Sequence, residues 1–113
     1  MSYRLEFAAS VKPQLEALTA KQRSTVIDAI EKHIVHQPLV ETRNRKRLRP
    51  NLIAPWELRV QDFRVFYEVE EFDVEESDAP QENALDEQGI VHVLAVGRKK
   101  GNILWVGDKK VQL

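Results

Sequence analysis

The sequence predicts an α+β domain of order β-α-α-β-β-β-β, with two antiparallel helices packed on one face of a mainly antiparallel sheet. Three observations predict it. Tyr3, Leu5 and Phe7 alternate with Arg4 and Glu6, the period of a half-buried strand. Val26, Ile27, Ile30 and Ile34 then form one apolar stripe at helical spacing. After Pro55 the period returns to two, in several short apolar segments.

Each element has its own signals. Tyr3–Ala8 is the first strand, and Ser10 offers an N-cap to a short helix whose first turn tolerates Pro13. Leu15 and Leu18 are its buried positions. Thr19 and Gln22 have capping-box spacing, so a second helix starts there and stops before Pro38. Arg43–Pro50 carries five basic residues with neither helical nor strand period and reads as a cationic loop. Trp56, Leu58 and Val60 alternate with Glu57 and Arg59 as the second strand. Phe63, Val65, Tyr67 and Val69 alternate with Arg64, Phe66 and Glu68 as the third. A hairpin turning at Gln61-Asp62 sets Arg59 directly opposite Arg64. That like-charge pair needs an internal carboxylate or an external anion to offset it. Phe72–Gly89 reads as a long hairpin connection, Ile90–Val96 as a central strand covered on both faces, Gly97–Gly101 as a turn and Ile103–Val106 as the last strand.

A chain of 113 residues makes a single domain, 1–113, with one modest core. It has no cysteine, which excludes disulfides and thiolate chemistry. No segment resembles a signal peptide, and no run approaches the roughly 18 apolar residues of a membrane span, so a cytoplasmic protein without membrane contact is expected. The charge is polarised: Glu70–Glu87 holds nine acidic residues and no Lys or Arg. The other 95 residues therefore carry +8 within a chain of net charge −1. Such a basic body suits an anionic partner, while the acidic segment serves equally as a solubility device.

His33, His36 and His92 lack metal-ligand spacing, and neither a phosphate loop nor a nucleophile elbow is present. Neither a metal nor another cofactor is expected. What remains is a set of cations and aromatics around a sheet. Arg59 and Arg64 share one hairpin face with Phe66, and Arg98 and Lys99 are expected to join them from the end of the central strand. Arginine forks beside aromatic rings suit phosphate binding and base stacking. Each has an ordinary alternative. Arg59 can pair with Glu57 or Glu68, Arg64 can bridge sheet and loop, Trp105 can be core, and Arg43, Arg45, Lys46, Arg47 and Arg49 can form a solvated loop.

WELRVQDFRVFYEV, followed by an apolar strand ending AVGRKKGN, resembles the RelE/ParE superfamily of bacterial toxin–antitoxin toxins. The resemblance covers nearly the whole chain, with an acidic insertion at about 73–89. It implies one of two activities or, as a third alternative, a non-toxic relative that binds antitoxin or nucleic acid. RelE-like members cleave mRNA in the ribosomal A site through attack of a 2′-hydroxyl on the adjacent phosphate. ParE-like members inhibit DNA gyrase without cleaving RNA. Both imply a cognate antitoxin partner. Under the RelE pattern Arg64, Arg98 and Lys99 are the catalytic cations, and Trp105 stands in place of a tyrosine. Pro55 and Glu57 stand where the best-known enzyme has lysines, and Glu57 or His92 would be the base. Arg43, Arg45, Lys46, Arg47, Arg49, Arg59 and Trp105 would contact nucleic acid.

Overall fold

The computed structural model describes residues 2–72 and 87–111. Its elements run β1 (Ser2–Phe7), α1 (Val11–Glu16), α2 (Ala20–His33), β2 (Arg45–Arg47), β3 (Trp56–Val60), β4 (Phe63–Glu71), β5 (Glu87–Lys100), β6 (Ile103–Val106) and β7 (Lys109–Val111). The expected α+β class holds, but the sheet has seven strands. Two of them, β2 and β7, lie in segments with too few residues to display a period. Most of the acidic insertion falls outside the described residues. Its flanks do not: Glu70 and Glu71 belong to β4, Gln88 and Gly89 to β5, and the Phe72 amide donates to the Gln88 carbonyl at 2.9 Å.

The sheet is ordered β2-β3-β4-β5-β6-β7, and β1 pairs with β5 in parallel. β5 is the axis, with β4 along one edge and two successive partners along the other. β1 covers that second edge as far as Phe7 opposite Val93, and β6 takes over from Gly97 opposite Val106. Between them the Val96 amide donates to the Gln14 side-chain carbonyl at 2.8 Å, so α1 satisfies a backbone group that neither strand reaches.

β5 does not turn at Gly97–Gly101 as expected. It stays extended to Lys100 and reverses at Gly101, whose φ of 64° favours glycine. Gly97 serves another purpose. A Cβ there would stand 2.7 Å from the Trp105 carbonyl oxygen, so its missing side chain permits the close approach of β6.

The core sits where the helices meet the sheet. Val11, Val26, Ile30 and Ile34 pack with Trp56, Leu58, Val65, Tyr67, Val91 and Val93, all buried. The Tyr67 hydroxyl donates to the Pro38 carbonyl at 2.6 Å, and its ring stacks on Trp56 with centroids 6.0 Å apart. Burial raises the Tyr67 pKa, with Arg45 acting weakly against it. A bulge between β4 and β5, where Phe66 opposes Ala95 but Tyr67 opposes Val93, then shifts the alternation of β5. Ala95 consequently joins Phe66, which ordinary alternation along β4 turns to the other side of the sheet, and a second core forms there with Ala54 and Leu104. The 48–55 segment roofs it. Asn51 fastens that roof by accepting from the Ile53 and Ala54 amides and donating to the Arg49 and Ala54 carbonyls.

The α2 capping box is present: Thr19 Oγ1 accepts from the Gln22 amide at 3.1 Å, and Gln22 Oε1 from the Thr19 amide at 3.0 Å. Thr19→Ala should lower unfolding stability by about 1 kcal/mol, read as a shift in urea midpoint without a change in slope. Ser10 differs from expectation. Its side chain makes no cap bond and donates instead to the Leu94 carbonyl at 3.5 Å. Among the described residues no helix is long and apolar enough to cross a membrane.

Candidate functional site

The β3–β4 hairpin turns at Gln61-Asp62, with Gln61 at φ 55°, and Arg59 stands opposite Arg64 as the pattern predicts. The two arginines have different surroundings. Arg64 is buried, 8% exposed. Its Nε lies 3.2 Å from Glu57 Oε1, and its Nη1 donates to the Gln61 and Phe63 carbonyls at 2.9 Å each. Burial first, then Arg59, pulls the Arg64 guanidinium below its ordinary pKa, while Glu57 and Asp62 act in the opposite sense. Arg59 extends into solvent with no ion-pair partner among the described residues. Glu57 is thus the internal carboxylate that the like-charge pair requires.

Register places further cations around that carboxylate. Lys46 on β2 stands opposite Glu57, and Glu57 opposite Phe66. Arg64 stands opposite Gly97, and Lys99 lies two residues along on the same face of β5. The Lys99 amide donates to the Asp62 carbonyl at 2.7 Å, which ties the hairpin tip to β5. Lys46, Arg59 and Arg64 therefore stand beside one half-buried carboxylate on the sheet face away from the helices, and Lys99 lies on that same face further along, at the hairpin tip.

Arg98 is not among them. It pairs in register with Phe63 and Trp105, residues of the helix-facing side, and its guanidinium lies over the Phe63 ring, 5.2 Å from the centroid. The expectation that Arg98 joins Arg64 fails because adjacent strand residues point to opposite faces and Gly97 takes the place opposite Arg64. Phe66 is also corrected: fully buried in the second core, it offers no stacking surface.

Arg45 is no surface contact either. It is buried, with Nε donating to the Val40 carbonyl at 2.9 Å and Nη1 to the His33 carbonyl. It satisfies a carbonyl at the C-terminus of α2, a natural place for a cation. Beside it, burial, then Lys32 and Arg45, lowers the His33 pKa. Arg43, Arg47 and Arg49 remain exposed, with Arg47 opposite Trp56 and so on the helix-facing side. His92 is held between Glu70, 3.1 Å from its Nε2, and Glu6, 3.7 Å from its Nδ1. It stands opposite Glu68, beyond the bulge from the Glu57 cluster.

No protein-family model matches the chain, and no curated protein matches its sequence.

Trp105 is half-buried and lines a cleft of about 450 Å³ between α1 and the β5–β6 hairpin, together with Gln14, Phe63, Arg98, Lys100 and Asp108. The sequence reading passed over Gln14, Phe63 and Lys100. The one signal available was the two-residue spacing of Arg98 and Lys100, which sets both on one strand face.

Proposed function

We propose that the chain is a RelE-like toxin of a type II toxin–antitoxin system, inhibiting translation by cleaving mRNA on the ribosome and silenced by a cognate antitoxin. The observation that carries the reading is the Glu57–Arg64 pair, 3.2 Å apart, with Lys46, Arg59 and Lys99 on the same face. Cleavage of this kind needs a base, a charge stabiliser and an acid. Glu57 takes the proton of the 2′-hydroxyl as its oxygen attacks the adjacent phosphorus. Arg59, Arg64 and Lys99 stabilise the added charge on the phosphorane. The bond to the 5′-oxygen breaks, and the Lys99 ammonium donates the proton that the leaving oxygen takes up. Positioning by the ribosome supplies the alignment.

The test is controlled overproduction without antitoxin, reading mRNA 5′ ends and DNA supercoiling together. Transcripts should be cut while supercoiling stays normal, and Glu57→Gln should abolish the cuts in a protein with an unchanged circular-dichroism spectrum. Intact transcripts during growth arrest overturn the nuclease reading. A ParE-like inhibitor of DNA gyrase is the second reading. It is favoured by the engagement of Arg64 with Glu57 and two hairpin carbonyls, which leaves that guanidinium less free for phosphate. Chromosome breaks on induction would select it.

A further inference from the structure

Gln61 stands where a two-residue hairpin ordinarily carries glycine. Val60 and Phe63 pair across the turn, so Gln61 and Asp62 alone connect β3 to β4. Gln61 has φ 55°, and it is the only non-glycine residue with positive φ among the described residues. Positive φ at the first turn residue and not the second is the pattern of a type II′ turn, which glycine dominates. A side chain at such a position is strained, and the strain persists only where the surroundings hold it. Two groups hold it here. Arg64 Nη1 donates to the Gln61 carbonyl at 2.9 Å, and the Lys99 amide donates to the Asp62 carbonyl at 2.7 Å. Gln61 itself is exposed, and its backbone rather than its side-chain amide meets Arg64.

We propose that Gln61 is a positioning residue for Arg64 and that it acts through its backbone. Its left-handed conformation turns its carbonyl back toward β4, where Arg64 Nη1 meets it together with the Phe63 carbonyl. Glu57 takes Nε at 3.2 Å. With these two nitrogens committed, Nη2 is the one that remains, so the guanidinium offers an anion a single nitrogen rather than the usual pair. The side chain is fixed before any ligand arrives, and little of its freedom is left to lose on binding. Lys99 lies on the same face and is tied through its own amide to the same tip, so the turn sets the spacing of both cations. An extended Gln61 would withdraw the carbonyl and release one hold on Nη1. The inference deepens the cleavage reading and rests on it for its functional part alone.

Nitrogen–proton NMR spectra of the Arg64 guanidinium test the placement without any activity, with Arg59 as an internal reference because it extends into solvent. In the parent, the Arg64 Nη1 protons should exchange at least about tenfold more slowly than those of Arg59. Substitutions of Gln61 should rank by tolerance of positive φ, not by side-chain chemistry. Gln61→Gly should keep the slow signal and raise the urea midpoint, and Gln61→Asn should keep the signal too. Gln61→Ala should weaken it, and Gln61→Val should speed the exchange at least about tenfold. In the ribosome assay, Gln61→Val should lower the cutting rate at saturating ribosomes at least about tenfold, with little change in the half-saturating concentration. Gln61→Gly should recover the rate. A parent that cuts no transcript removes the cleavage reading and leaves the spectral ranking to decide this proposal. The proposal is overturned if Gln61→Val, folded by circular dichroism, keeps the slow Arg64 signal, or loses it and still cuts at the parental rate. It is equally overturned if Gln61→Gly loses the signal while Gln61→Asn keeps it, which would assign the role to the side-chain amide. Where Gln61→Val does not fold, Gln61→Ala carries the same comparison.

Discussion

Arg64→Ala is expected to destabilise the fold by about 2–3 kcal/mol, near the lower end for breaking a buried ion pair. Three partners lose their donor at once: the Glu57 carboxylate and the carbonyls of Gln61 and Phe63. The side chains of Arg64 and Glu57 are 9% and 18% exposed, so water recovers only part of what is lost. Arg64→Lys should cost less, because an ammonium still neutralises Glu57 but lacks the fork that reaches Glu57 through Nε and the two carbonyls through Nη1 at once. Pairing Arg64→Leu with Glu57→Leu should recover much of the loss, since the uncompensated carboxylate disappears with its partner. Urea midpoints of the single and double variants measure this. A midpoint unmoved by Arg64→Ala would show that the pair contributes nothing to the fold, and any loss of the proposed activity in that variant would then report function alone.

Gly97→Val should have an effect at least as large, and a different signature. Gly97 is the one β5 residue that stands between Arg64 on β4 and Val106 on β6. A Cβ there would lie 2.7 Å from the Trp105 carbonyl oxygen, 3.1 Å from Val106 Cγ2 and 3.2 Å from Leu104 Cδ1. The first neighbour is backbone and cannot rotate away, so β6 must move outward or the β5 strand must bow. Overpacking of this kind costs about 1–3 kcal/mol, and the second branch of valine adds to it. Because Trp105 is on β6, the emission spectrum of the folded variant should shift as well. Gly97→Ala should show the same changes in smaller measure. A Gly97→Val protein with parental stability and emission would mean that β6 is not held at the distance described.

Much of the fold was legible in the sequence. The alternation in 56–69 gives β3, β4 and their hairpin register, and Thr19 with Gln22 marks the start of α2 because both cap bonds are local. Less of the candidate site was legible. Which side of β5 receives Arg98 depends on the bulge at Phe66/Tyr67, and a periodic apolar run does not disclose where an extra residue is accommodated. Arg45 looks like its basic neighbours until α2 ends beside it and offers the His33 carbonyl. β2 and β7, at three residues each, are too short to show a period and exist only because longer strands template them.

The order of the longer elements, the Gln61-Asp62 turn and the Arg59–Arg64 confrontation follow from the sequence by itself, since each rests on a period or a local hydrogen bond. So does the polarisation into a basic body and an acidic segment, which is a matter of counting. The roles of the cations were decided by the tertiary structure alone. A guanidinium N–H is available to a ligand only where it is not already engaged: Arg64 commits Nε to Glu57 on β3 and Nη1 to the Gln61 and Phe63 carbonyls, leaving Nη2, while Arg45 is held by carbonyls of the segment before it and of α2. Arg59 and Lys99 stay open to solvent, while Arg98 is turned to the opposite face. Strand register and the way the hairpin turn and the end of α2 fold back on these side chains divide the basic residues into those fastened within the fold and those left open to solvent.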